Sequence, residues 1–202
     1  MTDQEKNTEQ KILEAASRVF LKKGMAGARM QEIADEAGIN KSLLHYYYRN
    51  KDKLFMSVFH LAIQDFIPGI LDILNSEIPI FQKLQRFIHE YMRVLLGNPF
   101  VPMFILHELQ RDPERLFYVF KDAGIEPSQV LTEFEKSVKQ GEIKNIDPRH
   151  LIVNLLSLCI FPVAAKPMMQ QMLFDNDAPA YEAFLEERKE VVSEFVINAI
   201  KP

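Results

Sequence analysis

The 202-residue chain is 48% hydrophobic and 26% charged, with a formal net charge of −4 at pH 7, a balance that excludes a disordered or low-complexity protein and leaves room for a sizeable core. One cysteine, Cys159, rules out an internal disulfide and points to a reducing, cytoplasmic setting. The polar start MTDQEKNTEQKI has no apolar signal core, and the most apolar run, 151–165, is interrupted by Asn154, Ser157 and Pro162 and is too short to span a bilayer, so no membrane partner is expected.

Helical spacing runs through the chain, and no stretch alternates with period two between turn residues. The spacing predicts a first helix from Thr8 to Gly24, burying Ile12, Ala16, Val19 and Phe20. Lys22 and Lys23 suit its negative end, and Gly24 can take a left-handed stop. A short helix over 30–37 turns Ile33, Ala34 and Ala37 inward and ends at Gly38. Asn40, a good N-cap residue, opens a third over 41–48. Asn50 opens a fourth, expected to reach Asn75 with a bend before Pro68. Five more helices are expected near 79–97, 100–111, 127–140, 148–174 and 178–200. The segment 112–126 stays unassigned, and Pro162 and Pro167 should kink or break the helix that holds them. The expected fold is all-α: a three-helix head over residues 1–54, then a helical domain of about six helices over 55–202.

Three short helices, the last two joined by a tight glycine turn, describe a helix-turn-helix. On a helical wheel, Leu44 and Tyr48 share the face of Ile39 and should pack inward. Lys41 and His45, and beside them Ser42 and Tyr46, form two rows on the opposite face. Those groups suit phosphates and base edges. The bland alternatives are a surface histidine and a packing tyrosine. Tyr47 lies on the border and is left open by the wheel. Lys51, at the N-terminus of the fourth helix, can add charge to free N–H groups as a phosphate clamp. The head carries 10 Lys and Arg against 8 Asp and Glu over residues 1–54, or +2, and the remainder carries −6.

Over Thr8 to Leu61 the chain resembles the TetR-type transcriptional regulators, through ILEAASRVFLKKG and QEIADEAGINKSLLHYYYRNKDKLF. Gly38, Lys41, Tyr47, Tyr48 and Lys51 match that family's pattern. The chain departs from it at Ala28-Arg29, where Ser or Thr is usual, at Ser42-Leu43, often Gly-Thr, and at His45, often Tyr. The resemblance implies that Arg29, Met30 and Gln31 approach DNA, and that Ser42, Leu43 and Tyr47 join Lys41, His45, Tyr46 and Lys51 at the operator. It also implies a homodimer whose last two helices form a four-helix bundle with the partner's. Each subunit would hold an effector pocket, and effector binding would change the spacing of two heads that read half-sites about 34–36 Å or more apart.

The last helix fits the dimer role, since Tyr181, Phe184, Leu185, Val191, Val192, Phe195 and Val196 make a face too broad for a lone surface helix. The interface candidates are Leu155, Leu158, Phe184, Val191, Val192 and Phe195. Phe59, Phe66, Phe87, Tyr91, Phe104, Phe120, Phe134 and Cys159 are candidates to line an apolar pocket, with His107 as a polar handle. Aromatics at helical spacing are as a class more often plain core. Metal sites look poor: His89-Glu90 and His107-Glu108 begin the H-E-x-x-H pattern, but Arg93 and Arg111 stand where the second histidine belongs. The run from Asp175 lacks the glycine of a calcium loop, having Ala180. There is no nucleophile elbow, Walker loop or dinucleotide fingerprint, so no enzyme and no cofactor is expected. The expected function is a ligand-responsive DNA-binding regulator, a repressor released from a double-stranded operator by a small hydrophobic effector. The alternatives are a helical small-molecule binding module and a DNA binder controlled by a partner protein.

Overall fold

The structure is a computed structural model that describes residues 3–64, 66–98 and 100–202. Among the described residues it is all-helical, with twelve helices and no strand. They are α1 (Asp3–Gly27), α2 (Met30–Glu36), α3 (Lys41–Tyr47), α4 (Lys51–Ile63), α5 (Phe66–Asn75) and α6 (Ile80–Gly97), followed by α7 (Phe100–Arg111), α8 (Pro113–Asp122), α9 (Pro127–Lys139), α10 (Pro148–Ala164), α11 (Lys166–Phe174) and α12 (Ala178–Ile200). No single helix among the described residues is long and apolar enough to cross a membrane.

Three helices exceed the sequence-based expectation, each for a local reason. The helix expected over 51–75 is two, since α4 ends at Ile63 and α5 begins at Phe66, while position 65, in the expected helix, lies outside the described residues. Pro68 then sits in the first turn of α5, where its missing N–H leaves no carbonyl unpaired. The unassigned 112–126 segment holds α8, started by Asp112, whose side chain accepts from the Arg115 N–H at 3.1 Å, with Pro113 at the first position. The helix expected over 148–174 breaks at Ala165, with Pro167 in the first turn of α11.

Two compact units result. The first holds the described residues up to 64 together with 100–104; the second holds 66–98 together with 105–202. A boundary between 54 and 55 would cut α4, whose remaining turns stay with the first unit.

In the first unit, α1 packs on α2 and α4, and α2 on α3. Ile12, Ala16, Phe20, Ile33, Ala34 and Leu44 are fully buried there. Phe20 meets Phe55 edge-on at 5.0 Å between ring centroids, and Phe55 stacks on Phe104 at 5.0 Å. Gly24 interrupts α1 at φ 66°, and the Ala28 N–H closes on its carbonyl at 3.2 Å. A left-handed φ of this kind costs glycine least.

In the second unit α6 is central, packed by α12, α5 and α10. Lys83 of α6 is nearly buried; its ammonium donates to Glu133 Oε1 of α9 at 2.7 Å and to the Leu74 carbonyl of α5 at 3.4 Å. Pro162 lies inside α10. With no N–H, it leaves the carbonyl four residues back, that of Leu158, without its helical donor. Arg188 of α12 supplies one: Nη2 donates to the Leu158 carbonyl at 2.9 Å. One turn on, the Tyr181 hydroxyl donates to the Pro162 carbonyl at 2.6 Å. The proline is tolerated because α12 brings two side-chain donors to the damaged turn.

Candidate nucleic-acid interface

The α2–α3 joint is set by local hydrogen bonds. The Gly38 N–H returns to the Asp35 carbonyl at 3.1 Å and the Ile39 N–H to that of Ala34 at 3.0 Å, the paired bonds that end a helix at a left-handed glycine, here with φ 67°. Asn40 Oδ1 then accepts from the Leu43 N–H at 2.8 Å and starts α3. Asn50 repeats the device for α4, accepting from the Lys53 N–H at 2.9 Å. The surface pairs Arg18–Glu36 and Lys23–Glu32, both at 2.8 Å, link α1 to α2. Exposed pairs of this type add only a few tenths of a kcal/mol, roughly 0.2–1.

This frame sorts the side chains of α3. Leu44 is fully buried, and Tyr48 is buried with its hydroxyl donating to Glu9 Oε1 at 3.0 Å. Burial and the Glu9 carboxylate push the Tyr48 phenol well above its ordinary range. Lys41, Ser42, His45 and Tyr46 are exposed, Tyr46 at 76%. Leu43 and Tyr47 are half-buried at the margin, with the Tyr46 and Tyr47 rings edge to face at 5.5 Å. Arg29 and Gln31 at the head of α2 are exposed, and Met30 is half-buried. Gln31 Nε2 donates to Asp35 Oδ1 at 2.8 Å, and the Arg29 N–H to Glu32 Oε2 at 3.3 Å. The Glu32 carboxyl lies below its usual value through its hydrogen bond from Lys23.

Lys51 differs from the expected clamp. Its ammonium donates to the Ala28 carbonyl at 2.9 Å and the Ala26 carbonyl at 3.3 Å, on the α1–α2 connection. It holds that connection against the start of α4, a task that sequence spacing does not reveal.

The pocket candidates fall in different places. Phe59 and Phe104 are stacked at 3.6 Å inside the first unit, fully buried, and are core there. In the second unit Tyr91 lies 5.9 Å from Phe66 and 5.7 Å from Phe87 between centroids. Burial first, and then the neighbouring Cys159, push its phenol upward. Cys159 is itself buried, and burial pushes its thiol up to about 12, which makes it unreactive. Phe134 is buried and Phe120 half-buried. His107 is half-buried with Nδ1 3.0 Å from Glu108 Oε1. Glu108 is fully buried and also accepts from Arg115 Nε at 2.6 Å. Sequence reading missed that carboxylate.

The dimer candidates need correction. Leu155 and Val192 point into the second unit's core, at 4% and 2% exposure, since α10 and α12 pack there against α6 and each other. Leu158 and Phe184 are half-buried, and Val191 and Phe195 are exposed, Phe195 at 64%. The exposed apolar side chains of α10 are instead Val153, Leu156 and Phe161. A signal for them existed: the run LIVNLLSLCIFPVA is apolar all round, which asks for cover on more than one side.

The geometry defines a helix-turn-helix protein: α2 and α3 joined by a glycine turn, with a donor-rich face on the second helix. Residues 12–58 match the family model described as bacterial regulatory proteins, tetR family. The HTH-type transcriptional repressor SCO4008 of Streptomyces coelicolor is 47% identical over 58 residues, 29% of this chain and 30% of that one. The chain thus spans under a third of the length of that curated relative. The HTH-type transcriptional regulator RutR of Escherichia coli K12 is 24% identical over 205 residues, 95% of this chain and 89% of RutR. The fold is similar to that of the transcriptional regulator FadR of Bacillus subtilis, solved with stearoyl-CoA, at TM-score 0.69 and 18% identity over 93% of this chain and 97% of that one. The likeness to the tetR family of bacterial regulatory proteins thus lies in residues 12–58, the helix-turn-helix segment and its flanking helices.

Proposed function

We propose that this chain is a DNA-binding transcriptional regulator, a repressor that leaves its operator when a small hydrophobic effector binds. The observation that carries the reading is the sorting of α3: one short helix buries Leu44 and Tyr48 and turns Lys41, Ser42, His45 and Tyr46 to solvent in adjacent rows. Those four, with Arg29 and Gln31 and the marginal Met30, Leu43 and Tyr47, form the DNA surface. Lys51 supports it through the α1–α2 connection. The head acts as the reading domain, and the second unit as the effector and dimerisation domain. The aromatic group of Phe66, Phe87 and Tyr91 supports an apolar effector site there. The exposed apolar side chains of α10 and α12 support a homodimer. Nothing in the assignment calls on catalysis, and the chain would act beside the chromosome in the cytoplasm.

Release requires an effector that prefers one spacing of the heads, since binding both states equally shifts nothing. Acyl-CoA thioesters are the first compounds to titrate, because the similar fold of FadR was solved with stearoyl-CoA. The test is fluorescence anisotropy of the purified protein on the duplex upstream of its own gene, over a range of salt. Specific binding should weaken steeply with log salt, and Lys41→Ala should flatten that slope by about one unit. Affinity equal for that duplex, a scrambled one and duplexes drawn from a random pool would refute the reading.

A further inference from the structure

His45 stands on the exposed face of α3, one turn after Lys41 and four residues before Arg49, which lies just past the end of the helix. Its Nδ1 lies 3.3 Å from the carbonyl oxygen of Arg49. A carbonyl oxygen only accepts, so Nδ1 carries the hydrogen, and a neutral imidazole then offers Nε2 as a bare acceptor. The carbonyl it donates to is held in place. The Tyr48 N–H closes on the Leu44 carbonyl at 2.8 Å, and Asn50 caps α4 directly afterwards. The α3–α4 joint therefore sets which ring nitrogen is free. The other exposed groups of the row cannot do the same: the Lys41 ammonium only donates, and the hydroxyls of Ser42 and Tyr46 rotate to donate or accept.

In the major groove, adenine N6 and cytosine N4 present donors, while guanine O6 and N7 and thymine O4 present acceptors. We propose that His45 is a specificity-determining residue of the operator complex, accepting through Nε2 from the amino group of one adenine or cytosine in each half-site. A histidine anchored at Nδ1 reads one kind of edge. The inference rests on the DNA-binding reading above.

The experiment has two stages, both with the full chain at about pH 8, above the range in which imidazole side chains as a class take up a proton. Selection from a randomised duplex pool first supplies a tight site. Each adenine and cytosine of one half-site is then replaced in turn by its analogue lacking the amino group, and anisotropy is measured with the parent protein, His45→Ala and His45→Lys. One amino group should matter to the parent, with a loss of about tenfold, and make no difference to His45→Ala. His45→Lys, which can only donate, should prefer that base pair in the reverse orientation. A half-site in which no amino deletion separates the parent from His45→Ala overturns the proposal while leaving DNA binding intact. Failure of the parent to enrich any duplex overturns both.

Discussion

Leu44 and Tyr46 are two residues apart on the same seven-residue helix, yet they face opposite environments, and replacing each by alanine separates folding from reading. Leu44 is fully buried against the first unit's core, so Leu44→Ala loses a buried side chain and leaves a cavity, worth about 3 kcal/mol. For a chain of this size each kcal/mol moves the melting temperature by roughly 2–4 °C, which predicts a fall of about 6–12 °C. Tyr46 is exposed, with its ring edge to face with that of Tyr47, so Tyr46→Ala should change stability by no more than about 0.5 kcal/mol. It should weaken operator binding at least about tenfold, since each half-site loses a contact worth roughly 1–3 kcal/mol. Circular-dichroism melts and anisotropy titrations on the same preparations give both readings. A Tyr46→Ala protein that melts many degrees lower yet binds like the parent would refute the assignment of faces.

Arg188→Met should strand the Leu158 carbonyl at a cost of about 1–3 kcal/mol. Pro162→Ala restores the missing N–H, so the double variant should recover most of that loss in a mutant cycle, and simple additivity would count against the pairing. Glu133→Ala should cost about 1–2 kcal/mol by leaving the Lys83 ammonium nearly buried with only the Leu74 carbonyl, whereas Lys83→Met should be milder. Chemical denaturation orders the two, and the reverse order would sink this account. The Arg149 guanidinium holds the Asp147 carboxyl down from 3.8 to about 2. A depressed carboxyl stabilises above its unfolded value, and the contribution is lost as pH falls through the folded one. The melting difference between the parent and Asp147→Asn should therefore be present at about pH 5, shrink as pH falls toward about 2 and vanish only below it. A difference that grows on acidification would contradict it. Phe195→Glu should shift sedimentation from dimer to monomer with helicity retained; an unchanged dimer would move the interface away from this face of α12.

The features legible in the chain are those governed by near neighbours. Asn40 and Asn50 bond N–H groups three residues ahead, and Gly38 turns the backbone where a side chain would strain it, so these joints announce themselves in sequence. The burial of Leu44 and Tyr48, and the exposure of Lys41, Ser42, His45 and Tyr46, follow from the helical period once α3 is placed. Distant partners carry no such local mark. Lys51 reads as a free cation at a helix start until the fold brings the Ala26 and Ala28 carbonyls to it. Pro162 reads as a helix breaker until Arg188 and Tyr181 arrive from α12. Phe59 and Phe104 share the composition of Phe66 and Tyr91, but stack together in the first unit. Leu155 and Val192 read as a surface for a partner, yet they are buried where α10 and α12 pack against α6 and each other. Local hydrogen bonds and helical period act over a few residues and are written in order along the chain; burial and the partner of a charge depend on which helices meet, and that is settled when the whole chain packs.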